Sequence, residues 1–208
     1  MLARYSPFES YAARTNEGWV LVDPEILDDQ GERRLAELLD MDPVAIVLTS
    51  DGHERCSHDF ASRWGIQVWG PETIPVARDV AYERDPDHRY AAGDALPGGL
   101  TPIKLRGACG GDHALLWVTS HGKRVLFTGD ILNGQVEQSL SGADHYRWEH
   151  GLYFGARPQY IDRHDDRDGL KRSLYALLDI DCDIICGAHG IPFSDQPKVA
   201  LANLIETI

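Results

Sequence analysis

At 208 residues with 43% hydrophobic side chains, the chain is long enough for one domain with a sizeable core. Its 20 Lys and Arg stand against 33 Asp and Glu, and the formal charge of −13 repels a phosphate backbone, which argues against a nucleic-acid partner. No stretch reaches the roughly 20 apolar residues of a membrane span and the start, MLARYSPFES, has no apolar run of signal-peptide length, so the sequence predicts a cytoplasmic protein, one domain over residues 1–208, with no membrane partner.

Taken in chain order, WVLVD at 19–23 reads as a strand, and GERRLAELLD at 31–40 puts Leu35, Leu38 and Leu39 on one helical face. VAIVLTS at 44–50 is nearly all apolar, the pattern of a strand covered by helices inside a sheet. Phe60, Ala61 and Trp64 follow at helical spacing, and IQVWGP at 66–71 returns to strand. Residues 72–99, rich in Pro, Asp and Arg, form a connection with some strand at its edges. GLTPIKLRG at 99–107 opens a second half, and HALLWVTSHGKRVLFTGD at 113–130 is a hairpin turning at HGK. Residues 133–168 carry Tyr146, Trp148, His150 and Tyr153 with weak periodicity, as a lid or pocket wall would. The helix GLKRSLYALLD at 169–179 precedes the strand DIICGA at 183–188. A last helix is expected from Ser194 as N-cap, with Val199, Leu201, Leu204 and Ile205 available for packing. Cys56, Cys109, Cys182 and Cys186 are too few for a disulfide framework, and Cys182 and Cys186 beside DII read as buried thiols.

Three sites share one layout, an apolar strand running straight into polar residues: VLTSDGH ending at His53, VLFTGD ending at Asp130 and IICGAH ending at His189. Ligands bind at such strand ends in open α/β sheets, and Gly52, Gly129, Gly187 and Gly190 allow tight turns around them. Each site has a plain alternative. His53 can cap a strand-to-helix turn, Gly-Asp at 129–130 is a common turn pair, and His189 can be a turn residue between glycines. Together, two imidazoles and one carboxylate are a competent set for a divalent metal with positions left open. HERCSH at 53–58 looks superficially like a zinc cluster, but His53, Cys56 and His58 do not share a helical face.

The three loops resemble the metallo-β-lactamase-fold superfamily over nearly the whole chain. WVLVDP at 19–24 is similar to that family's early strand ending in Asp-Pro, VLFTGD to the strand carrying a bridging metal Asp, and GAHG to the last metal His. The T-H-x-H-x-D-H motif is shortened by two residues. Counting back from RWGIQVWGPE puts His53 on its final His, with Ser50 and Gly52 on the second His and the Asp, while GACGG at 107–111 puts Ala108 where a further ligand His stands. The resemblance implies an αββα four-layer sandwich. It also implies a hydrolase of a small ester, thioester or lactone holding one divalent metal, zinc first and iron as the alternative, on His53, Asp130 and His189. Asp51, Cys56, Asp112 and His113 are the residues able to compensate for missing ligands, and Asp51 joins the expected metal set. A small molecule is the expected substrate. The competing reading is a metal-free scaffold that binds a small molecule, or in which His53 and His189 act only as acid and base.

Overall fold

The computed structural model describes residues 2–4, 10–25, 29–72, 84–108, 112–135, 150–155 and 166–208. The first half builds a sheet in which spatial order follows chain order: β1 (Leu2–Arg4), β2 (Tyr11–Arg14), β3 (Trp19–Val22), β4 (Pro43–Val47), β5 (Gln67–Pro71) and β6 (His88–Tyr90). The first three strands meander antiparallel, and β3 to β6 run parallel. Helices α1 (Asp29–Leu38) and α2 (Ser57–Trp64) supply the first two parallel crossovers. The apolar spacings at 31–40 and 60–64 do form these helices. Gly65 ends α2 in the left-handed region, at φ 64°, and its N–H donates back to the Ala61 carbonyl.

The second half builds a four-stranded sheet from β7 (Thr101–Lys104), β8 (His113–Val118), β9 (Arg124–Gly129) and β12 (Ile184–Gly187), in that order. The β8–β9 hairpin turns over residues 119–123, where Thr119 N–H and Lys123 C=O pair, as the HGK signal predicts. Two short strands, β10 (Leu132–Asn133) and β11 (Tyr153–Phe154), pair with each other. Helix α3 (Arg167–Leu177) is capped by Asp166, whose carboxylate accepts the Gly169 N–H at 2.7 Å.

Side chains alternate between two faces of each strand, and that alternation generates the layers. Tyr11, Ala13, Val20, Val22, Val47, Leu115, Trp117, Val125 and Phe127 meet between the two sheets. The opposite faces of β2 to β4, with Ala12, Trp19, Leu21 and Ile46, pack with Leu35, Phe60 and Ala61 of the helices. Leu126 and Ile185 pack with Leu170, Leu174, Leu201 and Ile205 under α3 and α4 (Pro197–Ile205). The result is the expected αββα sandwich. Tyr11 ties the two sheets directly, its ring 5.5 Å from Phe127 and its hydroxyl donating to the Gly187 carbonyl at 2.9 Å.

Two expectations need correction. The N-cap of α4 is Gln196, not Ser194, because Pro197 already carries the φ of a first helical residue and the turn before it places Gln196 at φ 49°. Val199 is exposed rather than packed. Cys182 and Cys186 are buried thiols as expected and Cys56 is buried too, while Cys109, Tyr146, Trp148 and most of 133–168 lie outside the described residues. No helix among the described residues is long and apolar enough to cross a membrane.

Candidate metal centre

Because β3 runs parallel to β4 and β9 parallel to β12, the C-terminal ends of four strands come out side by side. Asp23 follows β3, Thr49 to His53 follow β4, Asp130 follows β9 and His189 follows β12. The two sheets are stitched together here by the His113 N–H, which donates to the Thr49 carbonyl at 2.9 Å, while within the second sheet the Ala188 N–H continues the β12–β9 pairing to the Gly129 carbonyl at 2.7 Å. Gly129 sits at φ 52°, and a Cβ on it would lie 2.5 Å from Thr49 Oγ1 and 3.4 Å from His53 Cε1. Only glycine lets the strand pass this close.

His53 is held from behind. Its Nδ1 lies 3.0 Å from Asp23 Oδ2 and 3.0 Å from Thr49 Oγ1. Thr49 in turn donates its hydroxyl to Asp23 Oδ2 at 2.6 Å and its N–H to Asp23 Oδ1 at 2.8 Å. An ionised carboxylate only accepts, so Nδ1 carries a proton and Nε2 is the nitrogen turned forward. Forward of it, Asp130 Oδ1 lies 3.3 Å from His53 Nε2 and 3.2 Å from His189 Nε2. The backbone on the other side is set by Asn133, buried on β10, whose Nδ2 donates to the Asp130 carbonyl at 2.9 Å and whose Oδ1 accepts the His189 N–H at 2.8 Å. Side-chain exposure rises from 4% at His53 to 17% at His189 and 27% at Asp130.

The electrostatics follow from this crowding. Burial opposes charge on His53, but the carboxylates of Asp23 and Asp130 outweigh it and lift its pKa to about 10. Burial alone would raise Asp130 as well, and the facing imidazoles instead hold it well below the usual carboxylate range. Asp51 is pushed up to about 6 by burial, against the stabilising N–H groups of Gly52 and its own backbone.

The structure brings His53, Asp130 and His189 together. Asp51 is buried on a short 3-10 turn beside them and Gly52 is exposed, so the residue at the position of the missing carboxylate faces outward. Cys56 is turned away, its thiol 3.6 Å from the Pro24 carbonyl, and His58 contacts the Arg84 carbonyl at 3.3 Å. Ala108 packs against the α3–α4 core, and His150, exposed, faces Asp195 at 3.8 Å. Asp23, Thr49 and Asn133 hold these three residues in place, and the loop pattern does not single them out. The signal for Asp23 was an Asp-Pro pair directly after a fully apolar strand.

The donor set fits a divalent cation on one observation. Among the described residues Asp130 Oδ1 is covered from solvent and accepts no aligned hydrogen bond, although it faces Nε2 of His53. Such a pair is held together by a proton on Nε2, or by a cation that takes the proton's place. Separations of 3.2 and 3.3 Å match the edge of about 3.3 Å of a tetrahedron with metal bonds of about 2.0–2.1 Å. Among the described residues no group of three or more His, Cys, Asp or Glu side chains stands as a preformed metal cluster.

No family model matches the chain, and no curated protein matches it. Solved structures do. TTHA1623 in a di-iron-bound form is 20% identical with a TM-score of 0.59, covering 100% of both chains. The class B3 di-zinc metallo-β-lactamase LRA-12 from an Alaskan soil metagenome is 12% identical with a TM-score of 0.62 over 96% of this chain and 84% of its own. The metallo-β-lactamase family protein TTHA1429 from Thermus thermophilus is 17% identical with a TM-score of 0.60, over 96% and 73%. At these identities the likeness is one of fold.

Proposed function

Since the chain has the metallo-β-lactamase fold, we propose that it is a metal-dependent hydrolase of a small ester, thioester or lactone, holding one divalent cation between His53, Asp130 and His189. The observation that carries this reading is the convergence of His53 Nε2 and His189 Nε2 on one carboxylate oxygen, Asp130 Oδ1, at 3.3 and 3.2 Å. Zinc suits the set, and two imidazoles with one carboxylate also suit iron(II). A cation held there supplies a water acidic enough to attack an acyl centre at neutral pH.

The chain's own residues prepare the site. Asp23 and Thr49 fix the His53 tautomer and the plane of its ring. Asn133 holds the Asp130 and His189 loops in register, so neither donor has to be ordered when a ligand arrives. Burial of His53 lowers the local dielectric and strengthens each charge in the site.

The test is elemental analysis of protein purified without chelators, joined to assays on ester, thioester and lactone panels before and after chelation. About one metal per chain, with hydrolysis lost on stripping and restored on reloading, is expected. Folded protein that takes up neither zinc nor iron would overturn the reading. The metal-free alternative is favoured by one observation: a His53 carrying both ring protons satisfies Asp23 and Asp130 at once.

A further inference from the structure

Four carboxylates crowd this end of the molecule, and the proposed set uses one of them. Asp112 opens the chain into β8 from the loop where the ligand-position histidine is replaced by Ala108. It is 6% exposed, and its Oδ2 is covered with no hydrogen-bond partner among the described residues. Its backbone is pinned, because its carbonyl accepts the Leu105 N–H at 3.1 Å and the next residue donates to Thr49 at 2.9 Å. Thr49 is the residue whose hydroxyl touches His53 Nδ1, so Asp112 is fixed beside the candidate centre. The charges that act on its carboxyl, after burial itself, are Asp130, His53, Asp51 and Asp23, the groups of this centre.

We propose that Asp112 is a further protein ligand of the cation site, a carboxylate that makes up for the lost histidine at Ala108. The inference rests on the hydrolase reading. A buried carboxylate oxygen with no donor is costly in a pocket that already holds other carboxylates, and a divalent cation removes that cost. Two carboxylates with two imidazoles also balance the ion's charge and harden the donor set towards iron(II) or manganese(II) relative to zinc.

Asp51 is the competing residue and is less well placed. Its Oδ1 is also covered without a partner among the described residues, but its carboxyl takes the N–H of Gly52 and its own N–H, and of the metal-set groups only His53 acts on it appreciably. Asp112 is acted on by both Asp130 and His53.

The experiment strips the full-length protein and titrates it with cobalt(II) and with zinc against a chromophoric competitor, for wild type, Asp112→Asn and Asp51→Asn. The melting temperature of each metal-free protein is measured alongside. We expect Asp112→Asn to weaken metal binding at least tenfold while the metal-free melting temperature stays level or rises. Asp51→Asn should weaken binding less. If the asparagine variant does not fold, Asp112→Ser gives the same comparison. Unchanged affinity in Asp112→Asn overturns the assignment and leaves the hydrolase reading standing. A joint fall in affinity and metal-free stability, or a larger loss at Asp51, also overturns it. Wild type that takes up neither ion removes the hydrolase reading and Asp112's role with it.

Discussion

Asp23 and His53 are 30 positions apart in the chain and 3.0 Å apart in the fold, the carboxylate of one accepting the Nδ1–H of the other. Three hydrogen bonds end on this carboxylate, one from His53 and two from Thr49, and all are buried. Asp23→Asn replaces one acceptor oxygen by a donor facing two donors. It should cost about 1–3 kcal/mol of metal-free stability and about 10- to 100-fold in metal affinity. Urea unfolding and metal titration of the same preparation check both; full affinity in a destabilised variant would mean that Asp23 serves the fold alone.

Gly129→Ala should damage the same centre without touching a polar atom. The substitution puts a Cβ at φ 52° and 2.5 Å from Thr49 Oγ1. Left-handed backbone strain alone is of order 1–3 kcal/mol, and displacing Thr49 loosens His53. A melting temperature matching wild type would show that β9 can shift away from β4.

Tyr11→Phe removes the hydroxyl that reaches across the sandwich to the Gly187 carbonyl, two residues before His189. The ring packing on Phe127 remains. The expected loss is about 1 kcal/mol in denaturant unfolding, with faster amide exchange at residues 188–190.

Cys56 should resist alkylation. Burial, with the Glu25 charge adding to it, pushes the thiol up to about 12, so the reactive thiolate is scarce at every pH below that value. Iodoacetamide at pH 8 followed by peptide mass mapping should leave Cys56 unmodified in folded protein and label it in urea. Ready labelling of the native chain would place it in a different environment.

What could be read from the chain depended on how local the cause was. WVLV and VAIVL announce strands covered on both faces because each residue's burial repeats along its own strand. His53, Asp130 and His189 stood out because glycines flank polar groups at strand ends. Asp23 and Asn133 did not, because their roles come from contacts between residues far apart in the chain and no periodicity marks such contacts, while Asp112 was named only as one of four residues able to replace a missing ligand. Asn133 meets the His189 backbone 56 positions away, and Asp23 looks like the first half of an ordinary Asp-Pro turn until His53 is packed behind it. The α4 start failed for a local reason: Ser194 is a better N-cap by type than Gln196, yet proline fixed the first helical position three residues later.

The stitching of β8 to β4 and of Asp130 to His53 has a thermodynamic consequence. Asp23, Thr49 and His53 follow strands of the first sheet, whereas Asp130 and His189 follow strands of the second and Asp112 leads into one. An ion gripped from both sides would act as a crosslink between the halves of the sandwich, and because the unfolded chain cannot present both sets together, each tenfold excess of ion over its dissociation constant would add about 1.4 kcal/mol to the resistance of the whole fold to unfolding.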